Sequence, residues 1–187
     1  GEVGWDLETT GIKPHAKSHK ILCASIAFDN RAFAFPMFED LDFREEWKAF
    51  LTDSEIPKVS HIAQFEALWT NEILGYWPEG WAADTCLDAH IIDNNAPTGL
   101  KFETYTRLGI IGYADVADTY IKSPDGAGCN AFNRMAECPL EPMLTYCAKD
   151  SLYMMRVREM QRIDLLEYRP QIKASRFFLE SAIELTR

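Results

Sequence analysis

Residues 21–28 read ILCASIAF, almost uninterrupted apolar sequence that ends at Asp29-Asn30 and is followed by RAFAF at 31–35. An apolar run of this length bounded by a turn signal predicts a strand buried on both faces, placed centrally in a sheet. The Asp-Asn pair predicts a tight turn, so residues 31–35 are expected to double back as an antiparallel neighbour. Around this hairpin the pattern alternates. Residues 1–7 read as a first strand ending at two acids, and residues 41–51 as a helix with Leu41, Trp47, Phe50 and Leu51 facing the core. Pro57 introduces a brief strand through Val59. A helix over 63–74 is supported by Phe65, Leu68, Trp69, Ile73 and Leu74 and stopped by Gly75. A short strand is expected at 81–84 and helices at 85–92 and 99–108. The segment 109–138 is the least regular, with SPDGAGCN at 123–130 a loop. A long helix is expected over 140–162, then a break at Pro170 and an amphipathic helix over 176–185. Strands first, then helices interspersed with strands, give a mixed α/β fold whose sheet is not wholly parallel.

The 187 residues suffice for one domain with a sizeable core, and no apolar stretch reaches the length of a membrane span. Asp and Glu outnumber Lys and Arg by 29 to 19, a formal net charge of -10. That balance argues against a nucleic-acid binder that works by bulk charge, but leaves room for an enzyme whose acids are masked by metal ions. Five cysteines with no CxxC spacing read as free thiols in a reducing compartment. His15 and His19, four apart beside Pro14, read as a loop rather than a zinc site.

Three short stretches carry the chemistry. In DLETTG, Asp6 and Glu8 have the i,i+2 spacing that points both carboxylates to one side of a strand. Like charges so placed are costly unless hydrated or bound to a cation. Thr9, Thr10 and Gly11 then form a tight polar turn with backbone donors suited to a phosphate. In HIAQFE, Glu66 falls in the first turn of a helix, where an acid is favoured in any case. In YCAKD, Tyr146 and Asp150 are i,i+4 and share one helix face. Singly, each is compatible with an ordinary solvated acid.

Taken in order, DLETTG, HIAQFE and YCAKD resemble the three exonuclease motifs of the DEDD superfamily, in the subgroup with a tyrosine in its last motif. The layout is similar to the proofreading domain of family A DNA polymerases, including phage members. AADT at 82–85, LKFETYTRLGI at 100–110 and RFFLESAIELTR at 176–187 extend the resemblance over nearly the whole chain. The last of these resembles the approach to a polymerase thumb, which divides the chain into an exonuclease domain over 1–167 and a helical extension over 168–187.

The resemblance implies an RNase H-like fold, a mixed central sheet flanked by helices. It also implies removal of nucleoside 5′-monophosphates from the 3′ end of single-stranded DNA, as in proofreading during replication. Two divalent ions, Mg²⁺ or Mn²⁺, would be held by Asp6, Glu8, Glu66 and Asp150, with Tyr146 orienting the attacking water. Thr9, Thr10, Gly11, Ile12, His61 and Phe102 are candidate substrate contacts. The implied partners are a DNA 3′ end and a linked or associated polymerase region, with no membrane, in the cytoplasm of the cell or of a phage's host. Two positions depart from the family pattern. Glu66 stands where aspartate is usual, and Ile62 where asparagine is expected. They keep two alternatives open: an RNA-processing exonuclease of the same superfamily, and a catalytically weakened DNA-binding or polymerase scaffold.

Overall fold

The computed structural model describes residues 1–37, 41–122, 131–167 and 169–187. The loop expected at 123–130 with Cys129, the Leu41 side chain, and Tyr168 at the start of the helical extension lie outside the described set. Strands β1 (Val3–Thr9), β2 (Ile21–Phe28), β3 (Arg31–Pro36), β4 (Lys58–Ser60) and β5 (Trp81–Asp84) form one sheet in the order β3-β2-β1-β4-β5. The β1–β2 and β2–β3 pairs are antiparallel, and β1–β4 and β4–β5 are parallel. This is the mixed α/β sheet the sequence predicts. Asp29 and Asn30 turn the hairpin with φ of 49° and 58°, the left-handed pair that a two-residue turn of type I′ requires. β2 is internal as expected, although β1 occupies the middle of the five strands.

β1 runs two residues past the predicted end, so Asp6 and Glu8 lie within the strand. They pair with Ser25 and Cys23 of β2, and the register slips only after Glu8. Ladder pairing satisfies the backbone whatever the side chains carry, which is why charge did not end the strand.

The two faces of β1 part company. Trp5 and Leu7 join Trp47 and Leu51 of α1 (Leu41–Thr52) and Trp69 of α2 (Ala63–Leu74) in one apolar cluster. Gly4 and Asp6 face α6 (Leu140–Glu167) instead. A Cβ on Gly4 would come within 2.6 Å of the Met155 side chain, so glycine lets the long helix lie close over the sheet. Ser25 Oγ donates to the Cys147 carbonyl at 2.8 Å and fixes that contact.

The remaining helices are α3 (Thr85–Ile92), α4 (Leu100–Leu108), α5 (Asp115–Ile121) and α7 (Arg169–Thr186). α3 and α4 pack on α6, and α7 packs on α2 and α3. Leu179 and Ile183 of α7 are buried with Ala63 and Ala67 of α2. Several expectations need correction. α5 lies in the segment read as irregular; its single buried residue, Ala117, leaves almost no periodic signal. α6 continues to Glu167. Pro170 falls in the first turn of α7 rather than before it, where its missing N–H has no intrahelical partner to lose. Leu68, expected in the core, is exposed. Among the described residues no helix is long and apolar enough to cross a membrane.

Candidate active site

Three elements deliver the acids to one place. β1 presents Asp6 and Glu8, α2 presents Glu66 one turn after its start, and α6 presents Tyr146 and Asp150 on a shared face. All five line a pocket of about 440 Å³, together with Thr9, Gly11, Ile12, His61, Ile62, Phe65 and Asn133. A larger cleft of about 540 Å³, bordered by Trp81, Arg162 and Arg176, contains none of the five.

The approach of α2 is fixed from outside the pocket. Asp84, at the end of β5, is almost fully buried. Its Oδ2 accepts from the Ala63 N–H at 2.8 Å and its Oδ1 from the Ile62 N–H at 3.1 Å, both at the head of α2. Oδ1 also accepts from the N–H groups of Cys86 and Leu87 at 2.9 and 3.2 Å, capping α3. One carboxylate thus serves the orphan donors of two helix starts. Between β4 and α2 the chain turns through Ile62 at φ 71°. Asparagine adopts this left-handed conformation readily and a β-branched residue does so at a cost, which gives the expected asparagine a backbone reason.

The acids repel one another where water is scarce, with Glu8, Glu66 and Asp150 buried and Asp6 partly so. Burial raises the pKa of Asp6, and the neighbouring Asp150 raises it further. Burial does the same for Glu8, with Asp6 and Asp150 adding to it. Glu66 is raised by burial and then by Asp6, while the Leu7 N–H opposes the shift. Asp150 is pushed up to about 6 by burial, against the opposing pull of Tyr113, Tyr146 and Lys101. Glu66 Oε2 and Asp150 Oδ1 are buried without a hydrogen-bond partner. An oxygen-rich set with orphaned buried carboxylate oxygens fits a hard divalent cation, whose charge would reverse the repulsion. Cys147 adds a thiol that the motif reading missed. Its Sγ lies 3.7 Å from Asp6 Oδ2, and the ligand atoms of Asp6, Glu8 and Cys147 lie within 4.8 Å of one another.

Burial raises the Tyr146 pKa far above that of an ordinary phenol, and the nearby acids reinforce the shift. The side chain is therefore a neutral phenol at physiological pH, able to orient water rather than to deprotonate it. His61 is driven toward the neutral imidazole by burial. Its Nδ1 pairs with Thr85 Oγ1 at 2.8 Å, while its Nε2 is buried and unpartnered.

The turn after β1 is held from behind. Thr10 Oγ1 bonds His19 Nδ1 and accepts from the Lys20 N–H, and the Thr10 N–H donates to the Lys20 carbonyl. Thr10 is thereby committed to the scaffold and does not line the pocket. Its N–H is not free to receive a phosphate. Gly11 has no room for a side chain, since a Cβ would sit 2.3 Å from the His19 ring. Asn133 donates to the Thr9 carbonyl at 2.9 Å, and Phe132 stacks on His19 with centroids 4.2 Å apart. Ile12 lines the pocket and is 69% exposed, so an apolar edge flanks the acids. Phe102 lies on α4 and is not among the pocket residues. Asp84, Cys147 and Asn133 are the structural contributors that motif spacing alone did not reveal.

Residues 1–162 match the profile of a 3′-5′ exonuclease family. Among solved structures, Escherichia coli RNase D, an exoribonuclease involved in structured RNA processing, superposes with a TM-score of 0.76 at 14% identity, covering 99% of this chain and 44% of that one. Brucella melitensis NrnC bound to pGG superposes at 0.74 with 21% identity, covering 98% and 83%, and NrnC is also known with bound Mg²⁺. The POL domain of Pol1 from M. smegmatis, in complex with DNA primer-template and dNTP, superposes at 0.72 with 14% identity, covering 100% and 28%. Identities this low speak for the fold. No curated protein matches the sequence.

Proposed function

Starting from a chain that belongs to the 3′-5′ exonucleases of the DEDD superfamily, we propose that it hydrolyses the terminal phosphodiester of single-stranded DNA and releases nucleoside 5′-monophosphates, as a proofreading activity. The observation that carries this reading is the convergence of Asp6, Glu8, Glu66, Tyr146 and Asp150 on one pocket. The choice of DNA follows the motif layout, which resembles that of polymerase proofreading domains.

Asp6, Glu8, Glu66 and Asp150 would hold two divalent ions, Mg²⁺ or Mn²⁺, which supply Lewis acidity and lower the pKa of water at neutral pH. The protein's own groups do the rest. The neutral Tyr146 hydroxyl orients the attacking water. The half-exposed Ile62 and the exposed Ile12 give the terminal nucleotide an apolar surface beside the acids. His61 lines the pocket beside the acids and is a candidate substrate contact. Glu66 is 2% exposed and within electrostatic reach of Asp6, so its extra methylene does not carry it out of the site. That placement favours an active enzyme over a scaffold.

The test is digestion of 5′-labelled DNA and RNA strands of matched sequence with Mg²⁺ or Mn²⁺, comparing wild type with Asp6→Ala/Glu8→Ala. A DNA ladder absent from the double variant is expected. Faster loss of RNA would reassign the substrate to RNA processing, and no ladder above the double variant with either metal would leave a scaffold.

A further inference from the structure

Asp150 is approached by two phenols, and only Tyr146 belongs to the motif. Tyr113 comes from the connection between α4 and α5, just after Gly112 turns the chain at φ 69°. Its ring stacks on Tyr146, with centroids 6.3 Å apart and planes at 20°, and meets Tyr153 edge-on at 4.9 Å. Tyr146, Asp150 and Tyr153 follow one face of α6 at i, i+4 and i+7. Tyr113 therefore lies over the turn that carries Asp150, held by a ring on each side.

The polar end of Tyr113 is the informative part. Its hydroxyl lies within interaction range of Asp150 and of Thr104 on α4. Tyr113 Oη, Thr104 Oγ1 and Asp150 Oδ1 are all buried, and none has a hydrogen-bond partner. Buried polar atoms are costly when unpaired. Side-chain adjustment that brings them into alignment would let these three satisfy one another. Donor accounting gives the direction such bonds would take: Thr104 Oγ1 would donate to Tyr113 Oη, and Tyr113 Oη to Asp150 Oδ1, since an ionised carboxylate can only accept.

We propose that Tyr113, backed by Thr104, is a positioning residue for the nuclease reaction, its hydroxyl fixing the orientation in which Asp150 faces the pocket. The inference rests on the exonuclease reading for its kinetic consequence but not for its effect on metal binding. Hydrogen bonds behind a metal-binding carboxylate hold its geometry, and their loss typically costs roughly 10–100-fold in affinity or activity. A phenol that merely filled space would show no such effect when its oxygen alone is removed.

Tyr113→Phe keeps both ring contacts and removes the hydroxyl. With Mg²⁺ titrated calorimetrically into the full chain below its thermal midpoint, without substrate, the expected result is affinity weakened roughly 10-fold or more. In steady-state digestion the same variant should lose kcat to a similar extent at unchanged KM. Thr104→Val should move both readouts in the same direction by less. Because Thr104 acts through Tyr113, the double variant should be no worse than Tyr113→Phe. Wild-type metal affinity in Tyr113→Phe overturns the inference, as does a Thr104→Val loss that adds fully to it. If wild type degrades no strand, the exonuclease reading fails and the calorimetry still decides this one.

Discussion

Asp84→Asn tests whether one carboxylate positions the helix that carries Glu66. Asp84 Oδ1 accepts three backbone N–H groups and Oδ2 accepts the fourth, from Ala63 at 2.8 Å. An asparagine has a single acceptor oxygen. Placed where Oδ1 lies, it keeps the Ile62, Cys86 and Leu87 bonds and turns its amide N–H₂ toward the Ala63 N–H, donor against donor. The opposite rotamer would forfeit three bonds to save one. The variant therefore loses one charge-assisted hydrogen bond, about 1.5–3 kcal/mol. It also loses the negative charge at two helix N-termini, about 0.3–1 kcal/mol each. A total of about 2–5 kcal/mol corresponds to a drop in Tm of about 4–20 °C for a chain of this size. The assay is thermal unfolding by circular dichroism in the presence of chelator, paired with Mg²⁺ calorimetry below the midpoint. Because Ala63 lies one turn before Glu66, weaker metal binding should accompany the lower Tm. A midpoint within about 1 °C of wild type would show that neither the Ala63 bond nor the Asp84 charge holds α2 in place.

Two further outcomes are expected. The folded-state carboxylates titrate above their ordinary values, so the metal-free protein binds more protons folded than unfolded, and this contribution to stability falls as pH rises. For Asp150 the shift from 3.8 to about 6 corresponds to about 3 kcal/mol, lost between those values. Urea unfolding with chelator should show that loss in wild type and a smaller one in Asp150→Asn, with Mg²⁺ restoring stability most on the alkaline side; equal pH dependence in the two proteins would refute it. Ile62→Asn should relieve the left-handed backbone strain at a half-exposed position. A gain of about 1 kcal/mol, or about 2–4 °C in Tm, is expected, and a lower midpoint would contradict it.

The parts of this protein legible in the sequence are those written in local patterns. The eight-residue apolar run and its Asp-Asn turn specify the hairpin, because strand burial and turn conformation depend on neighbours in the chain. The same holds for α2 with its stop at Gly75, for β5, and for α3. The i,i+2 spacing of Asp6 and Glu8 and the i,i+4 spacing of Tyr146 and Asp150 follow from strand and helix geometry. Each pair could therefore be assigned to a common face before any fold was known. Resemblance in motif order linked the pairs to each other and to Glu66.

Other features depend on contacts between residues far apart in the chain, and only the folded structure decides them. Asp84 reads as an ordinary acid until β5 brings it beneath two helix starts. Tyr113 lies in a stretch without periodicity and gains its role when its ring settles over α6. Cys147 is an apolar helix residue by pattern and a neighbour of Asp6 by packing. The carboxylates respond most strongly of all. Separate stretches fix which acids exist, but their mutual repulsion and loss of water arise only when β1, α2 and α6 close around one pocket, because burial and proximity are properties of the assembled fold.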